Sequence, residues 1–392
     1  MRKIRTYIIL IASACLLAYV LFPKPKPPAE PITENIGNKE LQLTPKNFSD
    51  LAAWQTDNLA ATIPGFKDSC RQILKETSEF LSYSLAQVPT AKYQEICNKF
   101  LSADIKSDKD FRAFIEANFT PYLVSSKNNE FGKFTSYYES ALNASFTKSA
   151  KYKYPVYGKP NDLIEFNIKD FDEAAPSKRY VGRINGQKLV PYYSRAEIAK
   201  KPLDAPVILW GDDPIDIYIM QIQGSAIATL PDGSQVQVGY ADNNGHPFRG
   251  IASILLEKKL LKSGETSMGQ VKKWLKKNGK LALDNMNENK RFVFHRIIGR
   301  DSGPIGAHGV PLTPGRSLAV DRSFIPMGAL LWLETTGPDA NKIERLVIAQ
   351  DVGGAIKGAI RGDYFWGSGD DEVLDKAGRM NATGRYFILL PK

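Results

Sequence analysis

Between about Asn47 and Phe131 the apolar positions recur at helical spacing: Leu51, Trp54 and Leu59, then Ile73, Leu74, Phe80 and Leu81, then Phe111, Phe114 and Ile115. Intervals of three and four residues put one face of a helix in a core, so this stretch predicts several helices. The texture changes at Phe134. Lys133–Tyr138, Tyr180–Ile184, Ile215–Gln223 and Ser234–Tyr240 are short, β-branched or aromatic, and separated by Gly, Pro, Asp and Asn. They predict strands. In Ile219–Gln223 strand alternation would place Gln221 and Gln223 on one face, opposite Met220 and Ile222. Helical periodicity returns from Pro247 to Lys280. Strands resume from Arg291, with Phe292–Ile297, Leu318–Val320, Leu330–Leu333, Arg345–Ala349 and Tyr386–Leu390. The chain reads as mainly β with N-terminal helices, and it contains no internal repeat.

The N-terminus follows a different rule. Arg2, Lys3 and Arg5 precede an uninterrupted apolar run from Tyr7 to Phe22, the layout of an export signal. The run is short for a membrane span, which needs about 20 residues. Within it, Ala12-Ser13-Ala14-Cys15 is similar to a bacterial lipoprotein signal, in which Cys15 would be lipidated; an uncleaved anchor is the other reading. Either one exports the protein and tethers it to a membrane, facing the periplasm. Pro23, Pro25, Pro27, Pro28 and Pro31 then form a stiff, solvated tether. The expected organisation is an anchor over 1–22, a tether over 23–46, a helical part over 47–135, a β-rich unit over 136–297 and a final unit over 298–392. Cys70 and Cys97 are the cysteines beyond the anchor, and they either pair in an oxidising compartment or remain two buried thiols.

Composition narrows the partners. Hydrophobic residues make up 43% of the 392 positions and charged residues 24%, the balance of a globular protein, and the net charge is +10. That excess favours an acidic partner. Much of it lies between Leu256 and Lys280, where eight Lys face two Glu. This stretch is either a solvated helical face or a surface for an anionic polymer. No nucleic-acid-binding motif accompanies it.

The chemistry points to carboxylates. There are three His, no Cys or His cluster at metal spacing, no phosphate-binding loop and no serine-hydrolase elbow, so neither a metal nor a cofactor is expected. Asp321, Asp351 and Asp363 each stand where a predicted strand meets a glycine-bearing turn, and Tyr364-Phe365-Trp366 follows the last. One Asp before Gly is ordinary turn chemistry. Three in the final quarter, one beside an aromatic triplet, suggest a site.

Several uncommon phrases make this specific. Ser317-Leu-Ala-Val-Asp-Arg-Ser-Phe-Ile-Pro-Met-Gly328, Gln350-Asp-Val-Gly-Gly-Ala-Ile-Lys-Gly358 and Gly362-Asp-Tyr-Phe-Trp-Gly367 resemble the three-aspartate domain of the MltA-type membrane-bound lytic murein transglycosylases. Phe134-Thr-Ser-Tyr-Tyr138, Ser194-Arg-Ala-Glu-Ile198, Met220-Gln-Ile-Gln-Gly-Ser225 and Asn244-Gly-His-Pro-Phe-Arg249 resemble the same family, in its order. Ser136 and Ser140 stand where the family motif has Gly and Pro. The resemblance implies a double-psi β-barrel bearing the aspartates and a second β-rich domain inserted into it, with a groove between them. It implies that Asp363 is the catalytic acid and that Asp351 and Asp321 occupy companion positions. For Asp321, structural and catalytic roles both stay open. The substrate would be peptidoglycan glycan strands, bound by a monomer. Tyr137, Tyr138, Gln221, Gln223, Gly224, Ser225, Tyr240, Tyr364 and Trp366 are candidates for holding sugars by hydrogen bonds and ring stacking. His246 is read as a structural hydrogen-bonding residue.

Ordinary glycosidases use two carboxylates. A lytic transglycosylase can use one, because the attacking group is the C6 hydroxyl of the same N-acetylmuramic acid and is already held close. Asp363 would need a pKa above its usual ~3.9, which burial beside aromatic rings and repulsion from Asp351 would supply. The rival outcomes are a hydrolase using two aspartates and a non-catalytic, expansin-like glycan binder.

Overall fold

The computed structural model describes residues 32–36, 39–81, 84–175, 178–200, 203–299, 303–368 and 371–392. The predicted anchor, with Cys15, and the prolines as far as Pro31 lie outside these residues. Among the described residues no helix is long and apolar enough to cross a membrane.

Strands β1 (Ile32–Ile36) and β2 (Lys39–Pro45) come first, followed by helices α1 (Ile63–Ile73), α2 (Thr90–Ser102) and α3 (Asp108–Asn118). Strand β3 (Phe119–Ser125) and the long β4 (Gly132–Ser145) lead into the middle of the chain. There lie β5 (Tyr154–Tyr157), β6 (Ile164–Asn167), β7 (Arg179–Asn185), β8 (Lys188–Pro191), α4 (Arg195–Ile198) and β9 (Val207–Gly211). Next are α5 (Pro214–Gln223), β10 (Ala226–Thr229), β11 (Gln235–Asn243), α6 (Ile251–Glu257), α7 (Met268–Lys277), α8 (Gly279–Met286) and β12 (Val293–Ile298). The last stretch holds β13 (Ser317–Val320), β14 (Leu330–Thr336), β15 (Lys342–Asp351), β16 (Arg361–Ser368), α9 (Asp371–Arg379) and β17 (Asn381–Pro391).

The main sheet runs β1-β2-β3-β17-β14-β15-β13-β16-β4-β10-β11-β12, and β17 also pairs with β4. Strand β4 belongs to two neighbourhoods. Its first half lies parallel to β16, with Thr135 opposite Asp363, and its second half lies parallel to β10, with Ser140 opposite Ala226. Strands β6, β7 and β8 form a small separate sheet.

Helices α1 to α3 close over one side of the sheet. Phe66, Phe100, Phe111 and Phe119 are fully buried there, each contributing about 1.5–3 kcal/mol by leaving water. Trp54 meets Trp332 of β14 edge to face at 5.0 Å. A buried two-pronged ion pair, Arg316 Nη1 to Asp57 Oδ2 at 2.7 Å and Nη2 to Oδ1 at 2.9 Å, ties this helical part to the start of β13. Cys70 of α1 and Cys97 of α2 are joined by a disulfide across 27 residues. A loop of that size adds about 3–4 kcal/mol in the chain-entropy account.

Three expectations need correcting. The tether does not extend to residue 46: Leu41 and Leu43, both fully buried, alternate along β2, which pairs with β3. The N-terminal helical part also contains β3, whose Phe119, Leu123 and Val124 are buried. Ile215–Gln223 is a helix, α5, and not a strand. Asp213 caps its first turn through Ile215 N at 2.8 Å, Pro214 opens it, and Gly224 ends it at φ +91°. The isoleucines that favoured a strand serve a helix buried nearly all round, where apolar residues need not follow one stripe.

Candidate active site

The three aspartates lie on or beside three adjacent strands. Asp351 ends β15, Asp321 follows β13, and Asp363 is the third residue of β16. Register brings two of them together. Ala319 of β13 lies opposite Asp351 on one side and opposite Asp363 on the other. Directly opposed residues share a sheet face, so both carboxylates flank a methyl group, with their Cα atoms two strand spacings apart, roughly 10 Å. Thr135 of β4 continues the row beyond Asp363.

Asp363 is half-buried. Its Oδ1 accepts from the Thr135 hydroxyl, which in turn accepts from Arg361 Nη2 at 2.7 Å. Burial pushes the carboxyl up to about 6, and the negative charge of Asp351 adds to the rise. The Thr135 hydrogen bond and the Arg361 charge act against it. Asp363 can therefore hold a proton in mildly acidic solution and release it just above.

Asp351 is more firmly held. Tyr137 OH donates to its Oδ2 at 2.8 Å, and the backbone N–H groups of Ala307 and Val352 donate to Oδ1 at 3.0 and 2.9 Å. Burial raises its pKa, and these three donors oppose the rise. Its predecessor Gln350, fully buried, explains the rigidity. Gln350 accepts from Ser317 Oγ at 2.5 Å and donates to Gly65 O at 3.1 Å and Ser69 Oγ at 2.9 Å, fastening β15 to β13 and α1.

Asp321 is turned to other work. Its Oδ1 accepts from Ser323 N at 3.1 Å and Ser323 Oγ at 2.7 Å, and its Oδ2 accepts from Gly358 N at 2.9 Å. It closes the turn after β13 and holds the loop that leads into β16.

The aromatic triplet divides by strand parity. Phe365 shares the Asp363 face and packs against Tyr137, ring centroids 5.2 Å apart. Tyr364 points to the other face, buried in the main core, accepting from Arg345 Nη1 at 2.9 Å and donating to Gly315 O at 3.0 Å. Trp366 meets Tyr364 edge to face at 5.6 Å. The ring beside the acid is thus Phe365, and Tyr364 and Trp366 lie across the strand from it.

Of the other candidates, Tyr137 reaches the carboxylate row, whereas Tyr138 is buried in a second core with α5, α6 and α7. Gln221, Gln223, Gly224 and Ser225 form the end of α5, and three of them hold neighbouring backbone or side chains in place. Gln221 Oε1 accepts from Arg195 Nη1 at 2.5 Å, and Gln223 Oε1 accepts from Tyr138 N at 3.2 Å. Ser225 O accepts from both Ser140 N at 3.4 Å and Ser140 Oγ at 3.0 Å. A proline at 140 could make neither bond, so the serine gives β4 a fastening of its own. Tyr240 is 42% exposed on β11 and accepts from Asn243 Nδ2 at 2.6 Å. His246 Nε2 lies 2.7 Å from Tyr192 O, as a structural hydrogen-bonding residue would. The lysine stretch is partly neutralised: Lys272 pairs with Asp216 at 2.9 Å, and Lys276 with Asp213 at 3.0 Å and Asp216 at 3.1 Å. Among the described residues no group of His, Cys, Asp and Glu is arranged to hold a metal ion.

Two functional neighbours escaped the sequence reading. Thr135 was within reach, since it alternates with Tyr137 on a segment already expected to be a strand. Arg361 carried no signal, because its partner is 226 residues away in the chain.

A carboxylate pair on one face of a β domain, with a second unit spliced in through β4, defines a three-aspartate protein carrying an insert. Residues 133–296 match the family model described as the MltA specific insert domain, and residues 316–390 match that of the 3D domain. The chain belongs to the MltA family. It is 32% identical over 267 residues to membrane-bound lytic murein transglycosylase A of Escherichia coli strain K12, covering 66% of this chain and 65% of that protein. The chain thus spans just under two thirds of the length of that relative. MltA of Neisseria gonorrhoeae superposes at a TM-score of 0.76 and 29% identity, covering 93% of this chain and 97% of that one. A lytic transglycosylase, LtgG, of Burkholderia pseudomallei is 33% identical at a TM-score of 0.57, over 92% and 100% of the two chains.

Proposed function

We propose that this protein is a lytic transglycosylase that cleaves the β-1,4 bond between N-acetylmuramic acid and N-acetylglucosamine in peptidoglycan. The observation that carries the reading is the state of Asp363, a half-buried carboxyl raised to about 6, with one hydroxyl donor, beside a firmly held Asp351. In the reaction, Asp363 gives its proton to the glycosidic oxygen as the C1–O bond breaks. The C6 hydroxyl of the same sugar then attacks C1 and returns its proton to Asp363, leaving a 1,6-anhydro end. No water is consumed and no cofactor is required. Asp351, saturated with donors, acts as an oriented negative charge beside the developing oxocarbenium ion. Asp321 serves the frame.

The finer architecture follows the same reading. The return of β17 to β4 while it also pairs with β14 supports a double-psi barrel built from β4, β13, β14, β15, β16 and β17. The inserted unit leaves and re-enters through β4 and β12, with the glycan groove between the two. The chain acts as an exported monomer, anchored to a membrane by its N-terminal segment and facing the periplasm.

Mass spectrometry of the products from digested peptidoglycan tests the assignment. Anhydro ends are expected. Reducing ends would replace the reading with a hydrolase, and undigested strands with intact binding would replace it with a glycan-binding protein.

A further inference from the structure

Beyond Tyr137, the strand that carries Thr135 leads to a second polar site. Thr135, Tyr137 and Glu139 alternate on one face of β4. At a rise of ~3.3 Å per residue, Glu139 sits on the order of 13 Å along the strand from Thr135. Glu139 lines a cavity of about 440 Å³ together with Gln235, Gln237, Ser368, Ile227 and Val236. Glu139 is 1% exposed and Gln237 6%. Glu139 Oε1 accepts from Gln237 Nε2 at 2.8 Å, and its Oε2 accepts from Ser368 Oγ. Among the described residues no lysine or arginine pairs with this carboxylate. Gln237 Oε1, buried on the same wall, has no hydrogen-bond partner among the described residues.

The wall therefore offers two kinds of acceptor, a carboxylate lacking a countercharge and an unpaired amide oxygen. Burying such groups is costly unless a donor meets them, and a positive donor meets both needs. A sugar hydroxyl supplies a hydrogen bond without charge, and an acetamido N–H does the same. A primary ammonium supplies three donors and the missing charge.

We infer that this cavity is a subsite for a primary ammonium group carried by the glycan strand, held by Glu139 and Gln237. The inference rests on the transglycosylase reading for the identity of the strand. Two sources present that chemistry, a de-N-acetylated glucosamine within the strand and a free amine on a peptide stem.

The test measures the affinity of the full chain, carrying Asp363→Asn to block turnover, for three probes. These are fully N-acetylated peptide-free strands, partly de-N-acetylated peptide-free strands, and peptide-bearing strands. A charge-assisted bond makes one amine-bearing probe bind about ten- to hundredfold more tightly than the first, and which probe it is names the source. Adding Glu139→Gln collapses that ratio toward one. Gln237→Met, which leaves the carboxylate in place, lowers it as well and answers for the site if Glu139→Gln fails to fold. Equal affinity for all three probes overturns the inference, as does a preference that survives both substitutions. Loss of cleavage of every strand by the wild-type protein would instead strike at the transglycosylase reading, since the binding ratios do not depend on turnover.

Discussion

Two buried polar clusters in this molecule treat charge in opposite ways. Arg195, 7% exposed in the inserted unit, has no carboxylate partner in its described surroundings, yet its guanidinium is well supplied. It donates to Gln221 Oε1 at 2.5 Å, to Asn289 O at 3.1 Å and to Arg291 O at 2.6 Å, and it stacks over the rings of Tyr218 and Phe292. Burial lowers its pKa to about 10, which leaves it charged throughout the working range. Asp363 is given far less. One hydroxyl faces it, Arg361 acts on it from behind that hydroxyl, and Asp351 repels it. A buried charge that holds a fold is satisfied until it cannot change state. One that exchanges a proton is left close to the balance point, and the protein tolerates that cost at the site of chemistry.

The largest effect that would sharpen this contrast is on turnover. Asp363→Asn keeps the shape and some hydrogen bonding but removes the transferable proton from both half-steps. A general acid contributes about 10²–10⁴-fold, and the loss here should reach the upper end or exceed it. Retained strand binding alongside full activity would break the assignment.

Arg195→Met should do the reverse. It leaves three acceptors without their donor in the interior, at a cost on the order of 3 kcal/mol in unfolding free energy. Denaturant titration measures that loss. The pH dependence of the remaining activity should keep its wild-type shape, because no group facing Asp363 has changed. A shifted profile would mean that the two clusters are coupled.

The smallest effects concern the proton itself. The reaction starts from protonated Asp363, so kcat should fall as pH rises through about 6. Thr135→Val removes a hydrogen bond that favours the ionised form, so that limb should move to higher pH. Asp351→Asn removes a repelling charge and should move it to lower pH, by a modest amount because burial is the larger cause. Opposite signs in the two pH–rate profiles are the expected result. Complete inactivity of the Asp351 variant at every pH, with fold and binding intact, would make Asp351 a second essential catalyst.

Much of this molecule could be read along the chain. Three- and four-residue spacing marked α3 through Phe111, Phe114 and Ile115 and the end of α1 through Ile73, but it also fell on Leu51, Trp54, Phe80 and Leu81, which lie outside the helices. Short β-branched runs between turn residues marked eight of the seventeen strands of the described residues. These depend on neighbours close in sequence. The aspartate-bearing phrases identified the chemistry because glycines and prolines at fixed offsets describe local turns. Strand parity separates Phe365 from Tyr364 and Trp366 only once Arg361–Ser368 is known to be a strand. Asp213-Pro214 with Gly224, by contrast, were helix boundaries present in the sequence, although the isoleucines between them pointed to a strand. Other features had no local signal. Leu41 and Leu43 need β3 to become core, and Asp351 and Asp363 become neighbours only because Ala319 pairs with both. Arg361 reaches Asp363 through a threonine from β4, and Glu139 meets Gln237 from β11. Each of these is set by strand register between distant segments, and register is decided by which faces the whole sheet can bury at once.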